Sequence, residues 1–283
     1  MVPRKQPTAR QERLGRELRK LREAAGLSAR EAAKLLGVVS VTVSQIESGV
    51  AGVSEARVRR LAAQYACADA DLIGALAEMA RDRTRGWWED YRDVLPPGFL
   101  DLAELEHHAR SMGVIATAHV PGLLQTEDYA RAVFRYAVPE LPTSELEPRV
   151  EHRMRRRVVI EDKGAVGYEA VVHEAVLRTR VGSRAQAKNQ LRDILAQSDR
   201  PNVTVRVIPF DVDGFGGANT SMLYVNGPVP QLDTAKRDAP HGGSFIDACS
   251  QLARFRTLFR KVESVSLDPQ RSRDFIHRLA KEL

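Results

Sequence analysis

Cysteine is nearly absent from this chain of 283 residues: Cys67 and Cys249 stand far apart and without CxxC spacing. That excludes a disulfide framework and a thiolate zinc site, and leaves two buried free thiols as the expectation. Long apolar runs are missing too. No stretch approaches the roughly 18 apolar residues of a membrane span, and the opening MVPRKQPTAR lacks the apolar core of a secretory signal. A cytoplasmic protein with no membrane partner is expected.

Catalytic signatures are equally scarce. Ser183, Ser198 and Thr204 have neither a GxSxG elbow nor an adjacent histidine, so nothing supports a hydrolase. The glycine-rich stretch 214–219 lies between two strand-like segments and lacks a following Lys-Ser/Thr. It therefore reads as a mobile hairpin loop and not as a phosphate cradle. His107 and His108, beside Glu104 and Glu106, resemble a metal cluster by composition only, because neighbours on a helix point about 100° apart. His119, His152, His173, His241 and His277 lack ligand spacing. The sequence predicts no metal, no cofactor and no enzymatic reaction.

What the chain does have is basic charge at one end. Residues 1–66 hold 13 Lys/Arg against 6 Asp/Glu, whereas the remainder holds 30 against 31. A localised cationic surface attracts a polyanion and gains affinity by releasing counterions from phosphates. The apolar content, 43%, is ordinary for globular protein, and the length allows about two domains with cores of their own.

Residues 27–49, LSAREAAKLLGVVSVTVSQIESG, are the most informative stretch. Ser28 with Glu31 three positions later forms a capping box, which predicts a helix start. Ala33 is small where a second helix must approach, and Gly37 ends the helix where a positive φ costs little. Beyond the turn Val43 and Ile46 share a face and can pack on Ala32, Ala33 and Leu36. Ser40, Val41, Ser44 and Gln45 face elsewhere and are candidate base readers.

Ala33, Gly37, Val43, Ile46 and the closing Glu47-Ser48-Gly49 sit like the signature positions of the phage-repressor-like (xenobiotic response element, XRE) helix-turn-helix family, which the segment resembles. The resemblance implies a five-helix domain. Leu14, Leu18 and Leu21 stripe a first helix, Ser54 caps a fourth carrying Val58, Leu61 and Ala62, and Leu72, Leu76 and Met79 stripe a fifth. It further implies that Arg22 pairs with Glu47, and that double-stranded DNA is read by Ser40, Val41, Thr42, Ser44 and Gln45 in the major groove. Phosphate contacts are expected from Arg22, Ala29, Arg30, Lys34, Arg57 and Arg60, with a basic arm over residues 4–10. The chain departs from its relatives at Ala29 and Ser40, where glutamines are common, at the N-cap Val39, and in the uncharged loop 50–53. Modest monomer affinity and a homodimer follow as expectations.

Residues 81–98 read as a junction containing the only two tryptophans, Trp87 and Trp88, whose place beside a boundary favours anchoring over base stacking. Pro96-Pro97-Gly98 is expected to stop any helix. Beyond it the pattern mixes helices over 99–110, after Thr126 and from Thr143 towards Val159, with strands over 114–120, 165–172, 202–210 and 221–225. Ser183 caps a further helix. Ile246, Leu252, Phe255, Leu258, Phe259 and Val262 form a helical stripe, and Asp268-Pro269 opens a closing helix. The Arg153–Arg157 run wraps all faces of its helix, which predicts paired or solvated arginines more than DNA contact.

PGLLQTEDYARA at 121–132, GWWEDYRD with LPPGF at 86–99, and PNVTVRVIPF at 201–210 resemble the uncharacterised C-terminal domain of actinobacterial, Streptomyces-type XRE regulators. The reading is multidomain: an all-α helix-turn-helix domain over 1–80, a linker over 81–98, and an α+β domain over 99–283. The expected function is a dimeric transcription regulator whose second domain dimerises and receives a small-molecule effector or a companion protein. The alternative is an antitoxin-like interaction module that docks a small partner protein.

Overall fold

Side-chain caps open the helices at the start of the chain. Thr8, Ser28, Ser54 and Asp69 each accept a hydrogen bond from the backbone amide three residues on, satisfying one of the donors a helix start leaves open. They begin α1 (Ala9–Ala24), α2 (Ala29–Leu36), α4 (Glu55–Gln64) and α5 (Ala70–Arg81), while α3 (Ser40–Glu47) starts from Val39 without a side-chain cap. This computed structural model describes residues 7–82, 84–162, 164–217, 221–237 and 243–283. It divides into two units, Met1–Glu89 and Asp90–Leu283.

The first unit closes around Leu18, Ala32, Ala33, Val43, Ile46, Val58, Leu61 and Leu76, all buried. The crossing of α1 over the end of α3 is tighter than side chains allow. A Cβ on Gly15 would lie 2.4 Å from the Glu47 carbonyl oxygen, and one on Gly49 would lie 2.8 Å from the Gln11 backbone. Two glycines thus let backbone meet backbone. A 3₁₀ turn over Trp87–Tyr91 follows, with Trp88 buried and the Trp87 ring edge-on to it at 6.0 Å.

The second unit contains α6 (Pro97–His107), β1 (Ser111–Ala116), α7 (Glu127–Arg135), α8 (Thr143–Arg155), α9 (Val158–Glu161), β2 (Gly167–His173), α10 (Glu174–Arg178), α11 (Arg184–Gln197) and β3 (Val203–Ile208). Then come β4 (Met222–Asn226), β5 (Thr234–Arg237), β6 (Ser244–Ile246), α12 (Cys249–Val265) and α13 (Pro269–Glu282). The strands form one mixed sheet in the order β3-β2-β1-β4-β5-β6, with β1, β2 and β3 parallel and the other pairings antiparallel.

Alternation along the strands sorts the two faces. Met112, Tyr168 and Val203 stand in one row across the parallel strands, then Val114, Ala170 and Val205, then Ala116, Val172 and Val207. This face packs on Leu123, Leu124, Tyr129, Ile160, Leu191, Ile194 and Ile276, which come from the crossover segments and α13. Ile115, Val171, Ile208, Met222 and Tyr224 look the other way, towards Leu252 and Val262 of α12. Phe259 of α12 comes so close to the sheet that a Cβ on Gly113 would lie 2.8 Å from its ring.

Several expectations need correction. Pro97 does not stop a helix but occupies the first turn of α6, where a missing amide hydrogen costs nothing. The segment 209–221 is no hairpin loop, because β3 and β4 lie on opposite sides of the β2-β1 pair; Ala218 and Asn219 fall outside the described residues. Ile246 belongs to β6 and not to the helical stripe. The first strand ends at Ala116, and the helix from Thr143 breaks at Arg156 before α9. The thiols are not buried: Cys249 is exposed and Cys67 half-buried.

Alanine at a helix-interior glycine ordinarily stabilises by about 1 kcal/mol. A Cβ added at Gly74 of α5 would meet nothing within 4 Å, so Gly74→Ala should raise the urea midpoint. Gly15→Ala should instead cost about 2 kcal/mol, because its methyl meets backbone that cannot turn aside. A Gly15→Ala protein as stable as the parent would refute the close crossing.

Candidate nucleic-acid interface and a second cleft

The turn between α2 and α3 is built from local hydrogen bonds. Ser28 and Glu31 cap each other's backbone amides at 3.2 and 2.7 Å. At the other end Gly37 adopts φ 66°, so that its amide reaches the Lys34 carbonyl and the Val38 amide reaches Ala33, at 3.2 and 3.0 Å. This pair of bonds is a Schellman closure, and it needs a residue without a Cβ penalty at Gly37. Val43 and Ile46 then turn inward, 3% and 4% exposed, beside buried Ala32, Ala33 and Leu36.

The opposite side of α3 is open. Ser40, Val41, Ser44 and Gln45 are exposed and Thr42 is half-buried. The Ser44 hydroxyl donates back to the Ser40 carbonyl at 3.3 Å, which leaves Gln45 as the long polar side chain of this face. Val39, Val41 and Val50 are also exposed, at 68%, 60% and 66%, whereas Val53, at the end of the uncharged loop, is buried.

Arg22 does not belong to a phosphate-binding surface. It is 7% exposed, and its guanidinium donates to both Glu47 carboxylate oxygens at 2.6 and 2.9 Å and to the Leu27 carbonyl at 2.6 Å. The hydrogen bonds it donates to Glu47 raise its pKa above the ordinary arginine value. A guanidinium so committed is a brace between α1 and α3. Most other cations of α1 face carboxylates as well: Arg13 pairs with Glu17, Arg16 with Glu12 and Arg19 with Glu23.

Four cations differ. Arg30 and Lys34 on α2, and Arg57 and Arg60 on α4, are exposed and enter no ion pair among the described residues. Ala29 holds the first position of α2, where a helix leaves its amide without an internal acceptor. The basic arm is described only from residue 7 onward, and there Arg10 pairs with Asp82 at 3.5 Å.

In the second unit the arginine run of α8 is tied down residue by residue. Arg156 is buried against Glu106 with bonds of 2.8 and 2.5 Å. Arg155 reaches Asp90 at 2.9 Å, Arg157 reaches Glu161 and Asp193 at 3.0 and 3.3 Å, and Arg153 donates to Gln125. These arginines brace the unit and do not form a DNA surface. Two of them, Arg153 and Arg156, also line a cleft of about 520 Å³ with Glu106, Gln125, Tyr168 and Lys236. Burial, with Glu106 alongside, pushes the Tyr168 phenol far above its usual range.

His107 and His108 touch edge to face at 4.9 Å, and among the described residues no three His, Cys, Asp or Glu are grouped to hold a metal ion. Nor is any described helix long and apolar enough to cross a membrane.

Residues 99–278, well over half of the chain, match the profile of a family described as a domain of unknown function (DUF5753). Residues 13–76 match that of a helix-turn-helix domain. No curated protein and no solved structure matches the chain.

Removing the Glu47 charge strands a buried guanidinium. Glu47→Gln should therefore cost about 3 kcal/mol of stability in denaturant unfolding, and no loss would show that the pair is solvated. His152 supplies a pH signature. Burial, then Arg156, Arg153 and Arg155 around it, hold its pKa down to about 3 from 6.5. The unfolded chain then binds a proton that the folded chain refuses, so stability is lost as pH falls from 6.5 towards 3. The slope should be about 1.4 kcal/mol per pH unit. His152→Phe should flatten that slope in acid titrations of unfolding, and an unchanged slope would assign it to other groups.

Proposed function

The chain belongs to the DUF5753 family and carries a helix-turn-helix domain ahead of that domain, and from this premise we propose a sequence-specific transcription regulator that binds double-stranded DNA as a homodimer. One observation carries the reading: four exposed cations, without ion pairs among the described residues, occupy the helices before and after an α3 whose outward face is open. In the proposed complex α3 lies in the major groove. Gln45 offers a bidentate pair to an adenine, and Val41 meets a thymine methyl. The Ala29 amide, Arg30, Lys34, Arg57 and Arg60 take phosphates, which positions the helix without reading sequence.

Two such helices about 34 Å apart would read a two-fold symmetric site, and the second unit supplies the dimer contact and receives the signal, a small molecule or a companion protein. The reading is one of binding and not of catalysis. Whether occupancy represses or activates depends on where the site lies relative to a promoter.

Selection from a randomised duplex pool tests it directly. The full chain should enrich a two-fold symmetric sequence with half-sites one helical turn apart. Gln45→Ala should weaken binding about tenfold, with loss of preference at one A·T pair per half-site and an unchanged circular dichroism spectrum. A pool without any enriched sequence would sink the proposal, and an unaltered Gln45→Ala preference would sink the reader assignment.

A further inference from the structure

A trough of about 480 Å³ lies under α12, where β1, β2 and β3 begin and β4 ends. Small-molecule sites span about 300–1,000 Å³, so its size is suitable. Strand alternation turns Ser111, Gly113, Gly167, Glu169, Thr204 and Asn226 towards α12. The register sets Asn226, Ser111 and Gly167 in one row, then Tyr224, Gly113, Glu169 and Thr204 in the next. The floor is bare at the first row. A Cβ added at Gly167 would meet only the Ser111 Cβ, 3.7 Å away. In the second row the Phe259 ring closes over Gly113, where a Cβ would lie 2.8 Å from it. One glycine is open and the next is roofed, which gives the trough its depth.

Two opposite charges line this trough without meeting. Glu169 stands on β2, and Arg260 follows Phe259 on α12 but enters no ion pair among the described residues. Glu169 accepts a hydrogen bond from Arg206 at 2.9 Å, yet Arg206 also reaches Glu263 at 3.5 Å. Two carboxylates thus share one guanidinium, an excess of one negative charge that matches the single positive charge of Arg260. The remaining charged residue of the lining, Arg256, reaches Asp233 at 3.9 Å. Asn202 adds to the negative end. It donates its amide hydrogens to the Ile160 and Val166 carbonyls, at 3.1 and 3.0 Å, which leaves its side-chain oxygen as an acceptor. A single ion would match one end of the trough and leave the other facing a like charge. A molecule that carries both signs matches both.

We propose that the trough binds a small zwitterion, an α-amino acid with an apolar side chain. Its ammonium group lies on Glu169 and the Asn202 oxygen, its carboxylate on Arg260, and its side chain along the Phe259 and Tyr224 rings. Charge-assisted hydrogen bonds hold the two ends, and the rings select for an apolar side chain between them. The claim is one of binding, in which no bond forms or breaks. It concerns the second unit alone and does not rest on the regulator reading above.

Isothermal titration of the full chain with each standard amino acid tests this. At least one apolar amino acid should bind at one site per chain, with a dissociation constant below about 1 mM. Its deaminated acid and its decarboxylated amine should each bind about tenfold more weakly or worse, because each leaves one charge of the trough unmatched. Arg260→Gln should weaken the amino acid about tenfold and leave the decarboxylated amine unchanged. Glu169→Gln should likewise weaken the amino acid and leave the deaminated acid unchanged. Arg260 is exposed, so its variant covers the case in which loss of Glu169 disturbs Arg206. Gly167→Val, whose Cβ has room and whose methyl groups enter the bare floor, should abolish binding with an unchanged circular dichroism spectrum. No apolar amino acid bound below about 1 mM overturns the proposal. So does either analogue binding as tightly as its parent, or indifference to Arg260→Gln or Gly167→Val. Selection of DNA is a separate readout: an empty trough leaves the regulator standing, and a chain that selects no sequence leaves the trough standing.

Discussion

The outward face of α3 depends on one charge taken out of water. Arg22 leaves α1 and spends its three donor groups on the carboxylate that ends α3 and on the carbonyl that precedes the cap of α2. The end of one helix and the start of another are thereby referred to a single guanidinium. A buried ion pair adds little net stability, since desolvation offsets most of the attraction, but a misplaced partner costs several kcal/mol. Its effect is to penalise other placements of α3. Gly15 and Gly49 complete the constraint, because only without side chains can the α1 backbone come near enough for Arg22 to reach. Val43 and Ile46 then set the rotation of α3, and the outward residues follow.

The second unit repeats the device in another setting. Arg156 and Glu106 join the end of α8 to α6, buried at 6% and 2% exposure. The neighbouring arginines project in successive directions, so one short stretch grips Gln125, Asp90, Glu161 and Asp193. That is why a dense basic run needs no nucleic acid to explain it. It is also why the cleft keeps a polar floor: a guanidinium bound edge-on to a carboxylate cannot be overlaid by apolar side chains without losing hydrogen bonds. The sheet supplies the rest, since its rows of small and branched residues admit close packing on one face and end at the cleft.

Sequence carried the local signals well and the non-local ones poorly. The capping boxes at Ser28–Glu31 and Ser183–Gln186 mark helix starts because each depends on four consecutive residues. Gly37 marks a stop for the same reason. By contrast, Gly15 reads as an ordinary weak helix residue until α3 is placed against it, and the pairing of Arg22 with Glu47, 25 residues away, was legible only through the family resemblance and not from any local signal. β5 and β6 are short, and TAKR and SFI carry too little alternation to announce strands. Ile246 matched a helical stripe by spacing alone. The stretch after β3 could not be told from a hairpin, since only the pairing of β4 with β1 reveals a crossover. The cleft was illegible for that reason: its residues come from positions 102 to 236 and converge only when the sheet forms.

The shortness of the reading side chains bears on how such a protein would be controlled. One good bidentate contact discriminates by about 1–3 kcal/mol, whereas specific sites stand about 4–10 kcal/mol above non-specific DNA. Gln45 alone does not span that gap. The four proposed cation–phosphate contacts would give a salt slope of about −3.6, which is the signature of loose, sequence-blind attachment. In the proposed dimer both quantities double, and the second half-site supplies most of the margin by which the correct sequence is preferred. Occupancy then depends on holding two weak readers at one separation. A small displacement of the segment joining the two units would withdraw one reader, and with it most of the preference, without any change in α3 itself. In the proposed dimer, weak readers thus place control of DNA binding in the separation of the two half-site contacts and not in α3.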